Sequence, residues 1–590
     1  MIGNMLSRTA TVLTALIASN LLVSVMLLPT PVLAQEITVF IAKKIITMDK
    51  GWPDGTAVAV RDGKILSVGS LDDLQPWLKS AANKIDRTFA DKILMPGFIE
   101  PHGHPINASA VMTLPLLSAT PVPNPYGAAF PGIKTQAEAI ALLRGYVAKA
   151  KSPDETVLTW GYDPIAMGGG HIDKTMLDKI STTQPIVMLD ASEHFVYINS
   201  AALKKFNITK ANAKTDGIIL GADGEPNGQF LGANAMRVIL VPAIASQMQP
   251  DIASKNIRWL MDLSRQNGIT TTSDLAFGSI DVELEKSLND KYFNDPSSPM
   301  RVAQIADTTT LTAVRGEKAA IELVQELMKG NGDRVMVTGA KFFSDDAYLA
   351  LSMQMMSPGY IDGHEGIWLT QPSKMVENWL PWWKAGFQFH VHSNGSAGNE
   401  ATINALSELM KAYPRFDHRY TIEHYGSSTP EQARRLKALG GAVSANPYFH
   451  YFRAEVSTPF IGAERAYTAA RLRTLVDAGV PTALHTDSPV GPPRPLEEVW
   501  IAVNRFGLSG AVRGPEERVS VDQALRMVTI DAAYVLGIDE KVGSIAPGKF
   551  ADFVVLEQNP YEVPVETIRD IKVWGTVSGG RIFPASEIRP

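Results

Sequence analysis

Short strand-like segments and longer helical segments alternate along most of the chain. Apolar runs of strand length occur at eight places, residues 93–99, 268–273, 300–305, 334–343, 386–391, 419–422, 442–445 and 480–484. Segments with the apolar spacing of amphipathic helices, such as 317–328, 400–412, 431–439 and 466–478, lie between most of them. Because eight consecutive strand–helix units close into a ring, the pattern predicts a (β/α)₈ TIM-type barrel of the α/β class.

The connection between the first two predicted strands differs from the others. More than a hundred residues separate these two strands. A connection of this length without structure of its own is uncommon in a compact domain. We therefore expect residues 105–260 to form an inserted region over the mouth of the barrel.

Both ends of the chain carry β-type patterns. Strand-like segments occur at 38–46, 57–60 and 65–68, with the tight-turn pair Asp62-Gly63 between the last two, and again at 552–556 and 573–577. We expect residues 35–92 and 541–590 to build one small β-sandwich domain, and residues 93–540 to form the barrel with its insertion.

The first 34 residues have the pattern of a secretory signal peptide. Arg8 precedes the apolar run 12–28, and Val32-Leu33-Ala34 supplies a small-residue cleavage site. An uncleaved membrane anchor is the alternative, because the run is near the length that spans a bilayer. The prolines after the run and the terminal Ala34 favour cleavage, which would give a periplasmic or secreted chain with no membrane attachment.

Composition narrows the chemistry. The 590 residues carry a formal net charge of -6, so there is no basic surface of the kind that indicates nucleic-acid binding. Cysteine is absent from the sequence, which excludes disulfides, thiolate metal ligands and a cysteine nucleophile. Any metal must therefore be held by histidine, by carboxylates or by an unusual ligand, and the expected partner is a small-molecule substrate.

Four predicted strands are followed by residues that can bind a metal or carry a proton. His102 and His104 follow the first strand, and their i, i+2 spacing places both side chains on one side. His392, His424 and Asp487 follow three later strands. Taken singly, each is more often a packing or surface residue. Because active sites of these barrels lie at the carboxyl ends of the strands, their joint position indicates a metal-dependent active site.

Lys341 lies inside the apolar strand 334–343, where an unpaired ammonium group would be costly. An ion pair with Asp345 or Asp346 is the ordinary explanation. The alternative is a lysine carboxylated by CO₂, whose carbamate would bridge two metal ions. We favour the carbamate, because an ammonium group would repel a cation placed among the neighbouring imidazoles.

Six motifs accompany these strand ends. They are Met95-Pro96-Gly97-Phe98-Ile99 before His102-Gly103-His104, Ala340-Lys341-Phe342-Phe343-Ser344-Asp345, His392-Ser393-Asn394-Gly395, Ile422-Glu423-His424, Asp487-Ser488-Pro489, and the tail at 542–552. Together they resemble the amidohydrolase superfamily, and most closely its family 3 branch of YtcJ-like hydrolases, which includes N-substituted formamide deformylases. Two positions depart from the family pattern: Ser396 stands where Asp is frequent, and Asp346 where Gly is usual.

The resemblance implies a ligand set of His102, His104, carboxylated Lys341, His392, His424 and Asp487 for one or two divalent ions, of which zinc suits the donors best. It also implies cleavage of a non-peptide carbon–nitrogen bond by metal-bound hydroxide, with Asp487 moving the proton. In the segment Ser192-Glu193-His194, the resemblance makes His194 a candidate for substrate binding, against a packing role. We interpret the remaining histidines as packing or surface residues, namely His171, His364, His390, His418, His450 and His485.

Two other functions are compatible with these residues. The same metal site could hydrolyse an ester, lactone or phosphoester, or the fold could serve a non-catalytic periplasmic binding or regulatory protein. The intact set of six polar groups favours an enzyme, since a lapsed enzyme has no need to keep them in register.

We predict that the mature protein begins near Gln35 and is exported, because the charged start, apolar run and Ala34 site match a processed signal. Amino-terminal sequencing of protein from the producing cell checks this. A chain that starts at Met1 and sediments with the membrane would contradict it.

Overall fold

The computed structural model describes residues 36–211, 213–215 and 217–587. The predicted signal peptide, residues 1–34, lies outside this range. The strands are β1 (Ile37–Ile46), β2 (Asp54–Arg61), β3 (Lys64–Gly69), β4 (Asn83–Pro96), β5 (Phe98–Glu100), β6 (Val157–Tyr162), β7 (Ile186–Asp190), β8 (Phe195–Ile198), β9 (Ile218–Leu220), β10 (Pro226–Leu231), β11 (Ile269–Phe277), β12 (Arg301–Asp307), β13 (Val335–Phe343), β14 (Gln388–Ser393), β15 (Thr421–His424), β16 (Ala442–Ala445), β17 (Thr482–Leu484), β18 (Phe553–Leu556), β19 (Val573–Ser578) and β20 (Arg581–Pro584).

The helices are α1 (Gln75–Leu78), α2 (Pro105–Val111), α3 (Gln136–Val147), α4 (Lys174–Asp178), α5 (Ser200–Lys205), α6 (Gly232–Ile244), α7 (Pro250–Gln266), α8 (Val282–Tyr292), α9 (Thr308–Arg315), α10 (Glu317–Lys329), α11 (Pro372–Lys384), α12 (Ser396–Ala412), α13 (Pro430–Ala438), α14 (Pro447–Arg453), α15 (Thr458–Ile461), α16 (Ala463–Tyr467), α17 (Leu472–Ala478), α18 (Pro495–Asn504), α19 (Val521–Met527) and α20 (Ile530–Val535). Two 3₁₀ helices cover Pro515–Glu517 and Val565–Asp570. Within the described part of the chain, no helix has both the length and the apolar character needed to cross a membrane.

Eight parallel strands form the barrel in the order β5, β11, β12, β13, β14, β15, β16, β17, which confirms the predicted TIM-type fold. Just beyond β5 and β17, the backbone N–H of Asp487 donates to the carbonyl of His102 at 3.0 Å, and that of His104 donates to the carbonyl of Ser488 at 3.1 Å. These hydrogen bonds join the first and last strands at the end of the barrel that carries the candidate residues.

Side chains alternate between the two faces of each barrel strand, so core residues and candidate site residues lie on opposite faces. In β14, Phe389 and Val391 belong to the core shared with the outer helices, where Phe389 lies 4.3 Å from Phe342 and 5.3 Å from Trp383 between ring centroids. His390 and His392, at the alternate positions, therefore lie on the interior side. The apolar packing on one face fixes the direction of the histidines on the other.

The predicted first barrel strand, residues 93–99, is two strands in the structure. Residues up to Pro96 belong to β4, which pairs with β18 and β1, whereas only β5 joins the barrel. Gly97 separates the two strands, and a Cβ atom there would lie 2.0 Å from Oγ1 of Thr270. The continuous apolar pattern hid the break because both strands are buried.

The two chain ends meet in one seven-stranded sheet of order β20-β19-β18-β4-β1-β2-β3. Its core includes Phe40, Val58, Phe89, Phe553 and Val577, so residues from both ends of the sequence bury the same face. Neither end buries that face alone. The predicted boundary at residue 93 falls inside β4.

Residues 105–260, predicted as an insertion, contain a separate five-stranded sheet of order β6-β7-β8-β10-β9. Two ionic contacts fasten this region to loops of the barrel. Nδ1 of His194 pairs with a carboxylate oxygen of Asp346, and buried Asp163 accepts a hydrogen bond from Arg453 at 2.8 Å. Both barrel residues follow strands at the end where His392 and His424 lie.

We predict that a chain ending at Pro547 aggregates or unfolds at a markedly lower temperature. Its β4 would lose the pairing with β18 and expose an apolar strand edge. Size-exclusion chromatography and thermal unfolding measure this, with a chain ending at Glu587 as the control. A monodisperse truncated protein with the thermal stability of the control would show that the two ends fold independently.

Candidate metal centre

Five barrel strands bring the predicted residues to one place. His102 follows β5, Lys341 lies in β13, His392 in β14, His424 ends β15, and Asp487 follows β17. The side chain of His102 is 1% exposed, whereas those of His104, Asp487 and His194 are 19%, 15% and 21% exposed. These last three therefore face the open side of the centre.

His102, His104 and Asp487 form one group with the spacing of metal ligands. Oδ1 of Asp487 lies 3.2 Å from Nε2 of His104 and 3.5 Å from Nε2 of His102. One ligand atom from each residue lies within 4.8 Å of the other two. The closure of the barrel produces this group, because the same backbone segments exchange hydrogen bonds there.

A second group of the same kind contains His102, His424 and His485. Nδ1 of His424 lies 3.2 Å from Nε2 of His485, and Nε2 of His424 lies 2.8 Å from Nδ1 of His392. His485 is not among the ligands predicted from the sequence, where its position was interpreted as packing. Its signal was present, because it directly follows β17 and precedes Asp487 by two residues.

Lys341 points into the same cluster, with Nζ 3.3 Å from Nε2 of His102. Asp345 instead accepts backbone N–H groups from Gln354 and Gly395, both at 2.8 Å. Asp346 pairs with His194, so neither aspartate forms the ordinary ion pair considered for this lysine. Burial lowers the pKa of Lys341 to about 8, although Glu423 opposes the shift.

Glu423 lies beneath the cluster and fixes the orientation of two histidines. Its carboxylate accepts a hydrogen bond from Nδ1 of His102 and another from Nδ1 of His390, both at 2.7 Å. An ionised carboxylate only accepts, so the proton of each imidazole is on Nδ1. Nε2 of His102 is therefore unprotonated and free to ligate a metal. His390 has this supporting place in the structure instead of a plain packing role.

The donor set fits a divalent cation. Burial holds the pKa values of His102 and His424 well below the ordinary range and lowers that of His392 to about 3. Neutral imidazole is the form in which histidine binds a metal.

Asp487 supplies the negative charge on the open side of the cluster. Burial opposes its ionisation, but the hydrogen bond with His104 lowers the pKa of Asp487 to about 2. The backbone is left-handed at Asp487 (φ 57°) and at His424 (φ 77°). Such conformations are costly for residues other than glycine and cluster at functional sites, so the fold holds both side chains in place at a cost in strain.

His194 reaches the centre from the insertion. Its ring centroid lies 5.8 Å from that of His392, and Ser352 donates to the second oxygen of Asp346 at 2.6 Å. Burial opposes protonation, but Asp346 raises the pKa of His194 to about 9. Asp346, one of the two aspartates considered as an ion-pair partner of Lys341, pairs with His194 instead.

Known proteins that are similar to this chain share its family or its fold. A sequence profile described as the amidohydrolase family matches residues 90–584. The protein LONG AFTER FAR-RED 3 of Arabidopsis thaliana is 26% identical over 92% of this chain and 90% of its own length. An N-substituted formamide deformylase of Arthrobacter pascens is 25% identical over 89% of this chain and 94% of its own. The crystal structure of an uncharacterized metal-dependent hydrolase from Pyrococcus horikoshii has a TM-score of 0.66 at 17% identity, covering 90% of this chain and 99% of that one.

We predict that Glu423→Gln lowers metal affinity by about 10–100-fold, because the neutral amide no longer fixes the imidazole proton of His102. Isothermal titration calorimetry with the metal measures the affinity of each variant. Glu517→Gln, which replaces another buried glutamate that accepts from Thr474, is the control. Equal affinities in the two variants would contradict the role given to Glu423.

Proposed function

Because this chain belongs to the amidohydrolase family, we propose that it hydrolyses a non-peptide carbon–nitrogen bond of a small-molecule amide at a divalent metal centre. The observation that carries the proposal is the pair of three-residue groups that share His102. Their donors follow or end three strands, β5, β15 and β17, and meet at the open end of the barrel, where barrel enzymes carry their active sites. A zinc centre suits histidine donors with carboxylates.

We assign the metal to His102, His104, His392, His424, Asp487 and a carboxylated Lys341, with His485 as an additional donor. The bound metal would activate a water molecule and polarise the substrate carbonyl. The remaining steps belong to residues of this chain. Asp487, which is ionised and partly exposed, accepts a proton from the attacking water and passes it to the leaving nitrogen as the carbon–nitrogen bond breaks.

We assign substrate binding to His194. Asp346 occupies its Nδ1, which leaves Nε2 for an oxygen atom of the substrate. Because the pair with Asp346 favours the charged imidazolium, His194 can stabilise negative charge that develops on the carbonyl oxygen. Asp346 acts through His194 and is a positioning residue.

A pocket next to the centre can take a small apolar part of the substrate. Its lining includes Met112, Trp160, Leu349 and Phe452, together with the buried ion pair Asp163–Arg453. Ser488, the residue after Asp487, donates to the sulfur of Met112 at 3.7 Å, so the pocket adjoins the centre. Its volume of about 30 Å³ suits a small alkyl group.

The experiment that tests the proposed function is a substrate panel with metal-replete and chelator-treated protein. Amides should be hydrolysed by the metal-replete form and not by the chelated form, and added zinc should restore the activity. Faster hydrolysis of esters, lactones or phosphoesters would assign the same metal site to another bond. A protein that binds metal but hydrolyses no member of the panel would favour the binding or regulatory alternative.

We predict that Lys341→Ala loses most of its bound metal and activity, and that acetate partly restores both. A carbamate at this position would supply two oxygens and a negative charge to the centre. Elemental analysis measures the metal, and wild-type protein supplied with ¹³C-bicarbonate should give a carbamate signal by NMR. Lys341→Met is the matched control. Its side chain is similar in length to lysine, so acetate should not restore metal or activity in this variant. Full metal content in Lys341→Ala would overturn the assignment.

A further inference from the structure

Glu193 has a backbone conformation that glutamate rarely adopts. Its φ is 58°, in the left-handed region that favours glycine. The turn around it is firmly built, because Asp190 accepts the backbone N–H groups of His194 at 3.1 Å and Phe195 at 3.0 Å. Ser192 donates its hydroxyl to the same aspartate at 2.6 Å. Strained backbone of this kind occurs most often at functional sites. We therefore look for a role of the Glu193 side chain.

The two carboxylate oxygens of Glu193 differ in their hydrogen bonding. Oε2 accepts a hydrogen bond from Nδ2 of Asn107 at 2.8 Å. Oε1 is buried and has no hydrogen-bond partner among the described residues. Buried polar atoms are nearly always paired in folded proteins, so an unpaired acceptor next to an active centre points to a ligand that donates to it.

The surroundings of Glu193 indicate what kind of donor that ligand carries. Its charged neighbours are His104 and Asp487 of the candidate centre, together with Asp190 of its own turn. Asn107 lies on α2, which begins directly after His104. Burial raises the pKa of Glu193 to about 7, and Asp487 and Asp190 add to the shift while His104 opposes it. A positively charged donor at Oε1 would hold the carboxylate in its ionised form, which a neutral donor would do less well. A protonated amine supplies both the positive charge and the N–H groups.

We propose that Glu193 selects substrates that carry a protonated amine a few bonds from the scissile amide, with the ammonium group donating to Oε1. This inference rests on the proposed function, since it names the substrate class of the same site. Asn107 is a positioning residue that holds Oε2 so that Oε1 faces the substrate. The apolar pocket beside Met112 and Trp160 would then take the other end of the molecule.

The test uses pairs of amides that differ only in that charge. Formyl, acetyl and benzoyl groups are each placed on 3-aminopropylamine and on n-butylamine, so that an ammonium group replaces a methyl group of similar size. Wild-type, metal-replete protein should prefer the aminopropyl amides by about tenfold or more in kcat/KM, the size expected of one charge-assisted hydrogen bond. In Glu193→Gln, the preference should fall to about twofold or less, mainly through a higher KM for the aminopropyl series.

Glu193→Gln is chosen because its amide oxygen can still accept from Asn107, so the loop stays attached while charge and the second acceptor are lost. Glu193→Asp should retain part of the preference, because it keeps the charge. Glu225→Gln, an exposed glutamate of the same insertion, is the control and should behave as wild type. The Tm and the metal content of all variants are measured beside the kinetics.

The outcomes separate this inference from the proposed function. If amides are hydrolysed but the two series react equally in the wild type, or if Glu193→Gln keeps the preference, the inference is overturned and the proposed function stands. The inference is also overturned if Glu193→Gln loses metal, or if its activity on both amide series falls in proportion. Either result would show that Glu193 supports the structure of the centre. If no amide is hydrolysed, the proposed function fails. Calorimetric titration of the intact acetamides then decides whether Glu193 binds the ammonium group.

Discussion

The hydrogen bonds that His102 and His390 donate to Glu423 are the interaction on which the centre depends. Glu423 is fully buried, and a carboxylate without partners there would be strongly destabilising. Removing one member of such a buried pair costs about 3–5 kcal/mol. The hydrogen bonds from the two histidines stabilise the buried carboxylate. The same bonds fix the ring orientation and the proton position of each histidine. Nε2 of His102 is thereby directed at Lys341 and Asp487, and both candidate groups of ligands include His102.

The closure of the barrel provides the second constraint. His102 and His104 come from the start of the barrel and Asp487 from its end, and backbone hydrogen bonds between these segments bring the three together. Left-handed backbone at His424 and Asp487 then turns their side chains into the cluster. The insertion completes the open side through His194 and Glu193. In the proposed site, the barrel would therefore supply the metal ligands and the insertion the groups that face a substrate.

The barrel and the positions of its ligands could be predicted because each depends on a local pattern. A buried strand needs an apolar run, and a ligand at its carboxyl end follows that run directly, as His392 and His424 do. The break at Gly97 could not be seen, because β4 and β5 are both buried and differ only in their long-range partners. His485 was missed for a similar reason, since a histidine after a strand is as often packed as functional. The pairs His194–Asp346 and Glu193–Asn107 join segments distant in sequence, and no local pattern encodes them.

Anomalous X-ray diffraction from crystals grown with zinc would show whether this cluster binds metal, because it locates metal independently of activity. We expect one or two strong peaks in contact with His102, with His104 and Asp487 around one position and His424 beside the other. Peaks confined to surface histidines, with none bound to His102, would contradict the assignment of this cluster as a metal centre.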